Sequence, residues 1–151
     1  MNQIIVLLRG NINYDARVQK EIETLTGMGF GISLIVWNWE VVKYRHENVN
    51  IIDINLSDHK VPSNPILTFI RIVRFWHLSA RIIRSNSVYC IHCNDLDTLG
   101  ILFFLNKDYY SKIIYDAHEL YPESFTSNSL LNKAKRYVWN AIERLLIKRT
   151  K

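Results

Sequence analysis

His92, Asp95 and Asp97 in CIHCNDLD, and Asp116, His118 and Glu119 in KIIYDAHELYPES, are the residues of this sequence best placed to do chemistry. Mixed histidines and carboxylates could ligate a divalent ion for hydrolysis. No pair shows the H-x-x-x-H spacing of a helical metal site, however, and Asp95 has a competing role as a helix N-cap. The expectation is no metal. Cys90 and Cys93 suggest a redox or zinc pair, but if they lie on a strand they face opposite sides of a sheet, too far apart for a disulfide. Both read as buried, hydrophobe-like side chains.

What must position the ionisable groups is a set of short apolar runs. Ile4–Leu8, Gly31–Trp37, Val49–Leu56, Val88–Cys93 and Lys112–Asp116 have the continuous hydrophobicity of strands buried on both faces. Helices are predicted between most of them. One starts at the Asp15 cap and ends at Gly27 and Gly29, another runs from Asn64 and Pro65 to about Ser85, a short apolar one covers 96–105, and a last one starts at Ser127 or Ser129. This alternation predicts an α/β fold, a Rossmann-like parallel sheet with helices on both faces. Ligands of such sheets bind beyond the carboxyl ends of the strands. That edge collects the loops 9–14, 94–97 and 117–123, and with them the ionisable residues above.

The first of these loops, RGNINY, has one glycine, Gly10, and no G-x-G-x-x-G, which argues against a dinucleotide site. It also lacks the acidic pair of a phosphoacceptor receiver domain. The helix after it could seat a phosphate on its N-terminal amides, with Arg17 and Lys20 beside it. The alternative is that Asp15 only caps and Arg17 pairs with Glu21 on a solvated face.

The chain has 151 residues, 48% hydrophobic and 22% charged, enough for one domain with its own core. It opens on no signal peptide and contains no apolar run of spanning length, so a cytoplasmic location is expected. Its net charge of +5 is uneven, since no acidic residue lies between Asp58 and Asp95 while Lys60, Arg71, Arg74, Arg81 and Arg84 do. At 100° per residue, Arg71, Arg74, His77, Arg81 and Arg84 gather on one side of the long helix, with Phe69, Ile72, Phe75, Trp76 and Ile83 over the other. The basic side is either a solvated face or a contact for an anionic partner such as a lipid surface. Nucleic acid is not expected, because no aromatic platform is interleaved with the exposed basic side chains.

In these segments, DARVQKEIETLTGMGFGISLI, VYCIHCNDLDTLGI and KIIYDAHELYPE, the chain resembles the N-terminal domain of the retaining glycosyltransferases of family 4, enzymes of the GT-B fold. The resemblance implies an acceptor-side domain, residues 1–151. Opposite it a C-terminal domain, absent here, would hold a nucleotide-sugar such as a UDP- or GDP-sugar. It implies no cofactor and no metal. It assigns His118, with Glu119, to the cleft near the transferred sugar, Gly10 and Asn11 to the loop that approaches donor and acceptor, and His92 and Asp95 to a supporting role. Asp116 would orient its loop. The fragment alone should not transfer sugar. The full enzyme would make polysaccharide or glycolipid on an acceptor that can be lipid-linked, at the inner face of the membrane. The reading from a different class is a non-catalytic α/β module that binds an anionic partner or membrane through Arg71, Arg74, Arg81 and Arg84. A third is a flavodoxin-like domain that binds a nucleotide by itself.

Overall fold

A computed structural model describes residues 2–56, 64–117 and 130–150. Five strands, β1 (Gln3–Arg9), β2 (Gly31–Trp37), β3 (Val49–Asp53), β4 (Cys90–Asn94) and β5 (Ile113–Asp116), form one sheet of order β3-β2-β1-β4-β5. Every pairing is parallel. β1 lies at the centre, with Ile4–Leu8 all buried. β3 is shorter than its apolar run suggests: regular pairing stops at Asp53, and Ile54 adds one further bond to the Val36 carbonyl.

Alternation along the strands splits the core in two. Ile4, Val6, Leu8, Ile32, Leu34 and Val36 meet Val18 and Ile22 of α1 (Ala16–Gly27). Ile5, Leu7, Ile35, Trp37, Ile91 and Cys93 point the other way, to Ile72, Phe75, Trp76, Ala80 and Ile83 of α2 (Pro65–Arg84). Each large aliphatic side chain buried in this way contributes roughly 1.5–3 kcal/mol. Cys90 and Cys93 fall on opposite sides, as their spacing requires, and burial raises the pKa of both thiols.

Helix ends follow their capping chemistry. The Asp15 carboxylate accepts from the Val18 amide, and Asn64 accepts from Ile66 and Leu67 ahead of Pro65. Gly29, at φ 86°, closes α1, with its amide bonded to Thr26 and that of Phe30 to Leu25.

After β4 the apolar stretch is not one helix. One turn of α3 (Leu96–Leu99) passes into a 3-10 turn at Gly100–Phe103, and a second 3-10 segment, Lys107–Lys112, leads into β5. The tightening coincides with a close approach, since a methyl at Gly100 would sit inside the Trp76 indole. Leu96, Leu99, Ile101, Leu102 and Leu105 are buried as the pattern predicts. The last helix, α4 (Leu130–Ile147), brings Leu146 onto the α2 side of the sheet, and its Glu143 accepts from the Tyr115 hydroxyl at 2.9 Å.

Three sequence expectations need correction. Phe69 is not on the core face: it is 54% exposed, because the sheet ends before the helix does. The Asp95 side chain makes no cap hydrogen bond; its backbone carbonyl takes the amides of Thr98 and Leu99 instead. Arg17 does not pair with Glu21, since both turn toward the sheet rather than solvent.

Candidate functional site

The tips of β1, β4 and β5 stand side by side, with Leu7 opposite Cys93 and Asn94 opposite Asp116. Parallel register puts their carboxyl ends on one rim, and Arg17, from the first turn of α1, reaches across it. Its guanidinium lies 3.6 Å from Asp15, Asp95 and Asp116 alike. One cation thus gathers the β1–α1 loop, the end of β4 and the end of β5. Asp95 reaches it through an uncommon backbone. At φ 69° and ψ 164° it is the one non-glycine residue with positive φ among the described residues, in a region that costs about 1–3 kcal/mol. Its amide donates to the Asp116 carbonyl at 3.0 Å, and the Thr98 hydroxyl binds the carbonyls of Asn94 and Asp95, so the strained turn is held from both sides.

Beneath this cluster a second pair is more deeply enclosed. Arg9, the last residue of β1, binds the Asp97 carboxylate, which is 4% exposed. The guanidinium also lies over the rings of Trp37 and Trp39, 5.8 and 5.4 Å from their centroids. The Trp76 indole N–H donates to the Asp97 carbonyl, tying α2 to the same point. His92 sits within β4 rather than at its tip, on the α1 side, where its Nδ1 lies 2.7 Å from Glu21 Oε1, close but poorly angled for a hydrogen bond. Asn94 donates to the Leu7 carbonyl and keeps its own side-chain oxygen buried without a partner.

On the β1–β2 side the rim is fastened by neutral amides. Asn38, fully buried, accepts from the Ile12 amide at 2.8 Å. Asn13 accepts from the amides of Lys43 and Tyr44 and donates to the Val41 carbonyl. Asn11 closes its own turn, accepting from Asn13, Tyr14 and Asp15. Gly10 is not required by the backbone: its φ lies outside the left-handed region, and an added Cβ would make only ordinary contact with Leu8.

Of the sequence-nominated residues, Arg17 and Asp95 are thus brought into one cluster. Gly10 and Asn11 flank it, and His92 is engaged beside it by α1. His118 and Glu119, with Tyr121 and Pro122, lie outside the described residues, as does Lys60. Arg74, Arg81 and Arg84 are exposed and Arg71 half-buried, on α2 and away from the cluster. Sequence reasoning placed Arg9 and Asn13 in a rim loop but gave them no role, and it missed Glu21 and Asn38 as parts of the rim. A signal existed for two of them, Arg9 and Asn38, which directly follow apolar runs at strand ends.

Four carboxylates, Asp15, Asp95, Asp97 and Asp116, face two guanidiniums, Arg9 and Arg17. Carboxylate oxygens gathered at this rim suit a ligand that donates hydrogen bonds, such as a polyol. Among the described residues no group of three or more His, Cys, Asp and Glu is placed to hold a metal ion. A groove of about 940 Å³ lies elsewhere, along the outer edge of β3, where Arg45 is spent on the carbonyls of Val42 and Tyr44.

This geometry, a five-stranded parallel sheet with its polar rim at the carboxyl ends, defines a Rossmann-like α/β domain. No family model matches the chain and no curated protein sequence matches it. Among solved structures it is similar to sucrose-phosphate synthase from Thermosynechococcus elongatus, with a TM-score of 0.72 at 12% identity, over 97% of this chain and 40% of that one. It is also similar to TcCGT1, solved in complex with UDP, with a TM-score of 0.61 at 10% identity, over 89% of this chain and 32% of that one. Both are glycosyltransferases of GT-B architecture. At these identities the likeness is one of fold, and the chain spans well under half the length of either neighbour.

Proposed function

We propose that this chain is the acceptor-side, N-terminal domain of a retaining, nucleotide-sugar-dependent glycosyltransferase that acts in polysaccharide or glycolipid synthesis. The observation that carries the reading is the Arg17 cluster: one guanidinium joining three carboxylates from the tips that face the ligand edge in a fold shared with two glycosyltransferases. Carboxylates held in place by Arg17 can accept hydrogen bonds from acceptor hydroxyls without being drawn toward a diphosphate. The UDP- or GDP-sugar is left to a second domain, as the family resemblance implies, where donor phosphates would meet basic groups and loop amides. His118 and Glu119, as the family resemblance implies, would stand near the transferred sugar. No cofactor and no metal is assigned.

Calorimetric titration of the chain with UDP and with GDP tests the division of labour. The expected result is binding weaker than about 1 mM. A micromolar complex would place the donor seat on this half and favour the flavodoxin-like alternative. For the complete enzyme, transfer that persists unchanged in His118→Ala would remove that residue from the site. The second reading, a non-catalytic module that grips an anionic partner through α2, is favoured by the exposure of Arg74, Arg81 and Arg84 and by the absence of any acidic residue on that helix.

A further inference from the structure

The first two turns of α2 are unlike the rest of it. From Pro65 to Arg71 no residue is buried, and the first buried side chain is Ile72. Length explains this. Twenty residues of helix span about 30 Å, whereas the five residues of β4 span about 16 Å. The chain leaves β3 at its carboxyl end and must return to the amino end of β4. The surplus of α2 therefore projects beyond the carboxyl rim, by about 10 Å over its first seven residues.

A helix end that projects into water should be polar. Here Ile66 is 73% exposed, Leu67 43%, Phe69 54% and Ile70 56%. One turn behind them come Arg71 and Arg74, and further along the same outward stripe His77, Arg81 and Arg84. Arg81 and Arg84 lie in the last turn, where cations stabilise any helix through its dipole. Arg71 and Arg74 have no such explanation. An acidic protein or a nucleic acid would account for the arginines but not for the apolar tip, and an apolar protein surface would account for the tip alone. Apolar side chains leading, with cations about one turn behind, match the depth order of a lipid interface, where acyl chains begin some 5–10 Å beneath anionic headgroups. Among the described residues no helix is long and apolar enough to cross a membrane, so the contact is one of seating on the surface.

We infer that the projecting end of α2 docks in the interface of an anionic lipid bilayer, with Ile66, Leu67, Phe69 and Ile70 entering the acyl boundary and Arg71 and Arg74 resting on headgroup phosphates. Because the tip stands on the same rim as the Arg17 cluster, docking turns the candidate site toward the membrane. On the glycosyltransferase reading, this selects a lipid-linked acceptor. Trp76, bonded to the Asp97 carbonyl, fixes the helix to the rim so that the two move as one body.

Co-sedimentation of the chain with vesicles of phosphatidylglycerol and phosphatidylcholine (3:7), and of phosphatidylcholine alone, in 0.1 M salt, tests the inference. Partitioning to the anionic vesicles is expected to exceed that to neutral ones at least tenfold. The triple change Ile66→Ser, Phe69→Ser, Ile70→Ser and the double change Arg71→Glu, Arg74→Glu should each lower it at least tenfold, whereas Arg81→Gln with Arg84→Gln should change it less than threefold. The serine positions are exposed, so circular dichroism should show an unchanged fold. Independently, an environment-sensitive fluorophore on Ile70→Cys should shift to the blue on anionic vesicles and not on neutral ones. A parent chain that ignores anionic vesicles, or a triple-serine variant that binds them as the parent does, overturns the inference. So does sedimentation velocity showing that the tip instead joins two copies. None of these outcomes touches the glycosyltransferase reading, which the nucleotide titration and transfer assays address.

Discussion

The two halves of the carboxyl rim are built from different forces. On the β1–β2 side, Asn11, Asn13 and Asn38 strap loops together through neutral amide bonds to backbone. On the β4–β5 side, Arg9 and Arg17 hold Asp97 and the aspartate trio through charge. A neutral bond is short-ranged and indifferent to salt, whereas an ion pair is worth much when enclosed and little when solvated. The strap therefore reads as scaffold. The charged half, with its strained Asp95 and clustered carboxylates, carries features that folding alone does not require, and such features cluster at functional sites.

Removing one partner of the enclosed pair should have the largest effect. Asp97→Ala leaves the Arg9 guanidinium, 15% exposed, without its carboxylate. The expected loss is about 3 kcal/mol, the low end for a broken buried pair because the indoles of Trp37 and Trp39 still shield the cation. Denaturant unfolding measures it. The apolar double change Arg9→Met with Asp97→Leu should recover most of the loss, and failure to do so would mean that the pair contributes by more than mutual neutralisation. On the neutral side, Asn38→Ala orphans the Ile12 amide, and the expected cost is about 1–3 kcal/mol. This cost should be insensitive to added salt between 0.05 and about 0.5 M, unlike that of Asp97→Ala.

A smaller effect isolates the backbone of the charged half. Asp95→Gly and Asp95→Ala both delete the carboxylate near Arg17, but only glycine tolerates φ 69° with ψ 164°. Glycine should therefore be the more stable of the two by about 1–2 kcal/mol. Equal stabilities would show that the strain has been misjudged.

How much of this was legible beforehand follows the same division. Strand positions, parallel order and the caps at Asp15 and Asn64 could be read because each rests on local pattern: apolar runs, a carboxylate or amide before a helix, a proline at its first turn. The partners of Arg17 could not. Spacing offered Glu21 four residues on, and only the sheet order shows that the tips of β4 and β5 arrive beside the first turn of α1. Phe69 fails for a related reason, since periodicity reports which side of a helix is apolar but not where the neighbouring sheet stops. Asp95 looked like a cap because it precedes a helix. What its position needed was a residue to span β4 and Arg17, and backbone strain leaves no mark on sequence.

Two tyrosines allow the finest comparison, one for each half. Tyr115, on β5, has its hydroxyl pKa raised by burial, by its hydrogen bond to Glu143, and by the negative charges of Glu143, Asp95 and Asp97. Tyr44, on the strap side, is raised by burial and by Glu23. A phenol whose pKa is higher folded than unfolded favours the native state while protonated in both, so the contribution is complete below pH 10, the unfolded value. Above that pH the unfolded chain releases its proton while the folded one keeps it, and stability falls until the folded pKa is passed. The slope should be steeper for Tyr115, which faces more carboxylates. Unfolding free energies measured between pH 8 and about 11 should therefore decline less in Tyr115→Phe than in the parent, with Tyr44→Phe close to the parent. If the two variants flatten the curve equally, burial alone sets both shifts, and the negative charges of Glu143, Asp95 and Asp97 are screened from Tyr115 by solvent.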